Sequence, residues 1–168
     1  MSYGCGSVGT DLPWATMTIL VCYDGSSSSE AAIDVAGELF VGQTAMVLTV
    51  WEGFSEVLVR AGTGIAAAPL SFEEIDAAGE QAARDRAEQG AARARLAGLQ
   101  AQPRVAEREA SIWGTILEQA RRTEADAVVL GSRGLTGIKS VLLGSVSRGV
   151  LHHADRPVVV VPPPRSNS

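Results

Sequence analysis

Four runs of apolar, mostly β-branched residues constrain the fold more than any other feature of this chain: 17–23 (MTILVCY), 45–51 (AMVLTVW), 125–130 (ADAVVL) and 157–161 (PVVVV). They are continuous rather than alternating, as expected of strands buried on both faces of a parallel sheet covered by helices. A weaker alternating run at 103–110 (PRVAEREA) reads as an edge strand.

Helical patterns fill the gaps. Ser27 with Glu30 has capping-box spacing, followed by Ala32, Val35, Ala36, Leu39 and Phe40 on one apolar face. Ser71 with Glu74 is a second capping box, opening an Ala-rich helix to about Gly98. Gly79, Ala83, Ala87, Gly90, Ala91, Ala94 and Gly98 are expected to give that helix a close-packing side. A third helix starts near Ser111 with Trp113, Ile116, Leu117 and Ala120 inward, and a short fourth follows Gly144 with Val146, Val150 and His153 on one side. The order β-α-β-α-β-α-β-α-β predicts an α/β domain with a doubly wound, mostly parallel sheet.

The 168 residues suffice for one domain and a sizeable core without staples. The net charge of −5 and 5% aromatic content argue against a nucleic-acid footprint or base-stacking platform. Cys5 and Cys22 are too few for a disulfide scaffold, and Cys22 reads as a small buried side chain. No stretch reaches the roughly 18 apolar residues of a membrane span, and the N-terminus lacks signal-peptide character. A cytoplasmic location is expected. Residues 1–15 read as a flexible Gly/Ser-rich extension, 16–163 as the domain and 164–168 as a tail, with 53–69 a long loop of small residues.

Ligands of open α/β sheets sit beyond the carboxyl ends of the strands, at the switch in strand order. The first strand ends in Tyr23-Asp24-Gly25-Ser26 and the fourth in Gly131-Ser132-Arg133-Gly134; ten positions on, Gly144-Ser145-Val146-Ser147 opens the last helix. Glycines admit close backbone approach, and a helix N-terminus offers free N–H groups and the positive end of its dipole. Ser145 and Ser147 are expected to add hydroxyl donors, and Asp24 to accept from a ribose or hold a metal. Taken singly, each glycine is as readily a turn or a cap; together they point to phosphate. A GxGxxG after the first strand is absent, and Ile138 between Gly137 and Lys139 breaks the P-loop spacing.

Gly131-x-x-Gly134, nine residues, then Gly144-Ser145 resembles the ATP-binding signature of the universal stress protein (UspA-like) family. The start at 19–26, the second strand at 46–50 and the end at 157–161 extend the resemblance to most of the chain. It implies an open five-stranded parallel sheet with helices on both faces, of the adenine nucleotide alpha hydrolase-like type, and a homodimer through the last strand, Pro157 to Val161. It further implies ATP, with Mg2+, held by Cys22, Tyr23 and Asp24 at base and ribose and by Val50 at adenine. Leu130, Gly131, Arg133, Gly134, Gly144, Ser145, Val146 and Ser147 would hold ribose and phosphates. Tyr23 and the N-terminal extension depart from common members.

Other candidates carry less. Adjacent His152 and His153 do not share a helix face and make a poor metal pair; His153 reads as helix-end packing. No nucleophile elbow GxSxG stands before a helix. The charged residues of the second helix read as a solvated face. Trp113 reads as core, and Trp51 as near the ligand. With no dedicated general base, the expectation is a dimeric nucleotide-sensing stress or regulatory module that hydrolyses ATP slowly at most. The alternative is a slow ATPase or adenylate-transferring enzyme of the same broad fold; a dimerisation module with a vestigial pocket is disfavoured by the retained glycines.

Overall fold

A computed structural model describes residues 16–53, 71–135 and 143–164. The proposed extension at 1–15, most of the loop at 53–69, the P-loop-like stretch beyond Leu135 and all but the first residue of the tail at 164–168 lie outside them.

The elements alternate as expected: β1 (Thr18–Cys22), α1 (Ser27–Leu39), β2 (Thr44–Trp51), α2 (Phe72–Leu96), β3 (Gln100–Glu107), α3 (Ile112–Arg122), β4 (Ala127–Gly131), α4 (Ser145–His153) and β5 (Val158–Val161). All pairings are parallel, in the order β3-β2-β1-β4-β5. The chain winds outward from β1 to β2 and β3, then returns to the other side of β1 for β4 and β5. The switch point is therefore between β1 and β4.

Strand side chains alternate between the two faces. Ile19, Val21, Val47 and Val129 meet Ala32, Ile33 and Ala36 of α1 and Ala91 and Ala94 of α2. Leu20, Leu48, Val128 and Leu130 meet Ile116, Leu117 and Ala120 of α3 and Val150 of α4. Two helices thus cover each face, which is why the central strands read as unbroken apolar runs.

Several local expectations are corrected. The N-cap of α1 is Ser26, whose side chain accepts from the Ser29 N–H; the Ser27–Glu30 spacing is one residue out of register. Leu39 is 60% exposed, and Ile33 takes its place in the core. The edge strand begins at Gln100, earlier than its alternating run. Pro103 is tolerated there because β3 has a partner on only one side. The Ser71–Glu74 capping box forms in full, and the small-residue side of α2 is buried at Ala83, Ala87, Ala91 and Ala94.

Candidate functional site

At the switch point, the C-terminal ends of β1, β2 and β4 open into a cleft of about 380 Å³ roofed by the start of α4. Its first wall is the β1 end, Cys22 and Asp24, with Val50 of β2 beside it. Its second wall is Leu130 to Gly134, and its rim is Gly144 to Ser147. Eleven of the twelve residues singled out in the sequence are brought together there.

Tyr23 is the exception. Residue 23 points to the other face of the sheet, and its ring packs under α2, where a Cβ on Gly90 would lie 2.7 Å from Cδ1. Its backbone is engaged as well: its N–H donates to the Leu48 carbonyl at 2.8 Å, and its carbonyl accepts from Thr49 Oγ1 at 2.9 Å. Burial, and Glu30 next, push its phenol up. The Tyr23 side chain therefore props up the strand end from behind. Trp51, expected near the ligand, instead packs over Gly79 of α2.

The glycines serve different ends. A Cβ on Gly131 would meet the Ser28 backbone and Cβ at 2.7 Å, so the crossing of α1 over β4 already requires glycine there. A Cβ on Gly134 would lie 2.8 Å from Asp24 Oδ2. Gly144 is different: its φ of −70° is ordinary, and a Cβ would meet only the Ser132 carbonyl, at 3.4 Å, among its close neighbours. Nothing among the described residues demands glycine at 144.

Polar groups at the rim divide into those already bonded and those open. The Ser132 carbonyl accepts from the Gly144 N–H at 2.7 Å and from Ser147 Oγ at 2.9 Å, pinning α4 to the end of β4. The Ser147 hydroxyl, expected as a ligand donor, is thus buried and structural. Helical bonding in α4 starts with the Arg148 N–H donating to the Gly144 carbonyl. The preceding N–H groups of Ser145, Val146 and Ser147 have no intrahelical acceptor. No side chain caps this terminus and no acid lies in its first turn, whereas α1 and α2 have both a cap and an acid. Asp24 Oδ1 accepts from the Ser26 N–H at 2.9 Å, which fixes the carboxylate's orientation.

Sequence reasoning missed Ser29, Ile112, Ile116, Ser132, Leu143 and Arg148. Ile112 and Ile116 sit at i and i+4 on α3, a spacing that reads as core; only the sheet's geometry leaves their edges bare to the cleft. Ser132 is 5% exposed, and its Oγ has no partner among the described residues. The Cys22 thiol is pushed up to about 12 by burial and by the charge of Asp24, so it is protonated at neutral pH. Among the described residues no cluster of His, Cys, Asp and Glu forms a metal-binding group, and no helix is long and apolar enough to cross a membrane. His153, expected to pack at a helix end, is exposed but stacks on Trp113 with ring centroids 4.4 Å apart.

Comparison with known proteins adds four findings. The model of the universal stress protein family matches residues 16–162. Universal stress protein YxiE of Bacillus subtilis is 32% identical over 145 residues, covering 85% of this chain and 97% of its own. Among solved structures, a universal stress protein in complex with cAMP matches with a TM-score of 0.62 and 24% identity, covering 88% of this chain and 98% of its own. The universal stress protein of Archaeoglobus fulgidus in complex with dAMP matches with a TM-score of 0.59 and 20% identity, over 86% and 97%.

Proposed function

The chain belongs to the universal stress protein family, and on that premise we propose that its cleft binds ATP, as a dimeric sensor rather than a fast enzyme. The observation that carries this reading is the uncapped N-terminus of α4 facing the cleft. Three N–H groups without an acceptor among the described residues, and the positive dipole end, favour an anion there. Arg133 and Arg148 add positive charge at the same rim.

The remaining cleft matches a nucleoside in character. Val50, Ile112, Ile116, Leu130 and Val146 form an apolar slot for a planar base. Asp24, oriented by the Ser26 N–H, is positioned to accept from ribose hydroxyls. The family relatives solved with cAMP and dAMP carry adenine nucleotides, which supports the same base class here. For Mg2+, the described residues of the cleft lining offer one carboxylate, Asp24. That fits an ion which arrives with the phosphates and keeps waters, the usual mode for Mg2+. It would screen charge between the phosphates and Asp24.

Fast hydrolysis needs a positioned water and charge stabilisation at the γ-phosphate. Among the described residues, the titratable groups that line the cleft are Cys22, Asp24, Arg133 and Arg148. The thiol is held protonated, and the carboxylate is assigned to ribose or Mg2+. We therefore assign the bound nucleotide a signalling role, read out through a dimer formed at β5. Mass spectrometry of small molecules released from the purified chain, followed by calorimetric titration with ATP, ADP and AMP, tests the reading. Failure to bind any of the three would overturn it, as would steady-state turnover near the enzyme median of about 10 s⁻¹.

A further inference from the structure

A second cleft, of about 360 Å³, lies between the outer half of β3 and the C-terminal half of α3. Arg104, Arg108 and Arg122 line it, with Gln119 and the backbone of Val105 and Glu107.

The edge of β3 can be accounted for group by group. Gln100 N–H donates to the Gln43 carbonyl and Arg108 N–H to the Trp51 carbonyl, so the even-numbered residues turn their backbone groups toward β2. In a strand, alternate residues point their N–H and C=O to opposite sides. Ala101, Pro103, Val105 and Glu107 therefore face outward. The first half of that outer edge is blocked: Arg95 Nε donates to the Ala101 carbonyl at 2.9 Å, and Pro103 has no N–H. The second half is open. Neither Val105 nor Glu107 has an N–H partner among the described residues, and both line the cleft.

The charges beside this open stretch are uneven. Arg108 is paired with Glu52 at 2.9 Å. Arg104 holds only the neutral Gln119, through Nε at 2.7 Å, and Arg122 has no carboxylate partner among the described residues. Glu107 and Glu109 also line the cleft, so a run of acids would be repelled where a single carboxylate would not. Self-pairing of two copies is disfavoured. The antiparallel register that matches Val105 with Glu107 sets Arg104 opposite Arg108, and Pro103 ends the ladder on one side.

We propose that this half-open edge is a docking site for an extended peptide segment, which adds as a short strand to Val105–Glu107 and places one carboxylate side chain between Arg104 and Arg122. Main-chain bonds supply the pairing and the guanidinium groups the selectivity, the division of labour seen in β-strand addition. The site is independent of the nucleotide reading, because it shares no residue with the first cleft.

The test is an amide-resolved NMR titration of the full chain with two blocked pentapeptides, acetyl-Thr-Val-Glu-Val-Thr-amide and its Lys counterpart. The expected result is a shift and slowed exchange at the Val105 and Glu107 amides, with the Glu peptide at least tenfold tighter. Arg104→Gln with Arg122→Gln should erase that preference. Val105→Pro, with its melting temperature checked, should erase binding altogether. No shift at these amides at millimolar peptide would overturn the proposal, as would equal binding of both peptides or shifts confined to the first cleft. Concentration-dependent shifts of the same amides without peptide would show self-pairing and overturn it too.

Discussion

The carboxylate of Asp24 and the bare Cα of Gly134 are in contact across the switch point, so close that a Cβ at 134 would lie 2.8 Å from Oδ2. One residue ends β1 and the other follows β4. Both line the cleft, at the place where the proposed nucleotide would pass from sugar to phosphate. Gly134→Ala should displace the carboxylate while leaving the sheet intact. Loss of one hydrogen bond to a charged group costs about 1.5–3 kcal/mol, so nucleotide affinity should fall about tenfold to a hundredfold. In calorimetry, Gly134→Ala and Asp24→Ala should be non-additive, the signature of two residues acting through one contact. Full additivity would mean that they act separately.

The two flanking glycines should behave oppositely. Gly131→Ala drives a Cβ into the Ser28 backbone, and such overpacking typically costs about 1–3 kcal/mol. Its melting temperature should drop even without ligand. Gly144→Val meets no comparable obstacle among the described residues, so its stability should stay within about 1 kcal/mol of wild type, the range of an N-cap change. Nucleotide binding should nevertheless be lost, because the branched side chain occupies the approach to the Ser145 and Val146 N–H groups. Thermal melts with and without ATP separate the cases. Retained binding in Gly144→Val would remove the phosphates from this terminus.

The half-buried Cys22, whose side chain lines the cleft, gives a pH signature. Its folded value, about 12, lies above the ordinary 9.0, so the folded state holds the proton more tightly than the unfolded chain. That contribution is complete below pH 9 and is lost as pH rises from 9 toward 12. Melting temperature should fall across that window, and Cys22→Ala should flatten part of the slope. The rest belongs to Tyr23, whose phenol is also pushed up. In a Cys5→Ser background, alkylation at pH 8 should be much slower than for a free thiol. Fast alkylation would show that the thiol is not held as the structure places it.

The outer edge of β5 offers Val158, Val159 and Val160, all half-buried in the single chain, with no charge among them. An uncovered apolar edge is a pairing template, and a two-fold partner presenting the same strand would cover both. Val159→Lys should convert a dimer into monomer in sedimentation velocity. A wild-type monomer at micromolar concentration would exclude assembly through this edge.

Much of this was legible in the residues. Continuous apolar runs of strand length, rich in β-branched residues, read as strands covered on both sides, and capping chemistry at Ser71 with Glu74 is local enough to read directly. The spacing from Gly131 through Gly134 to Gly144 located the cleft because all three fall at strand or helix ends whatever the strand order. Other features depended on which element crosses which. The register of the α1 cap, Ser26 rather than Ser27, turned on the exact residue at which β1 ends. Ile112 and Ile116 have core spacing and become cleft walls only because β1 and β4 part beside them.

The sequence by itself determined the alternation of strands and helices, the helix that presents its N-terminus and the residues that bracket it, since periodicity and capping act over a few positions of chain. Tertiary structure alone decided that Cys22 faces the cleft while Tyr23 braces α2. It also decided that Gly131 answers to α1 and Gly134 to Asp24, and that the Ser147 hydroxyl is used up inside the fold. The physical reason is that a strand's two faces are equivalent in sequence until helices from distant parts of the chain pack onto each.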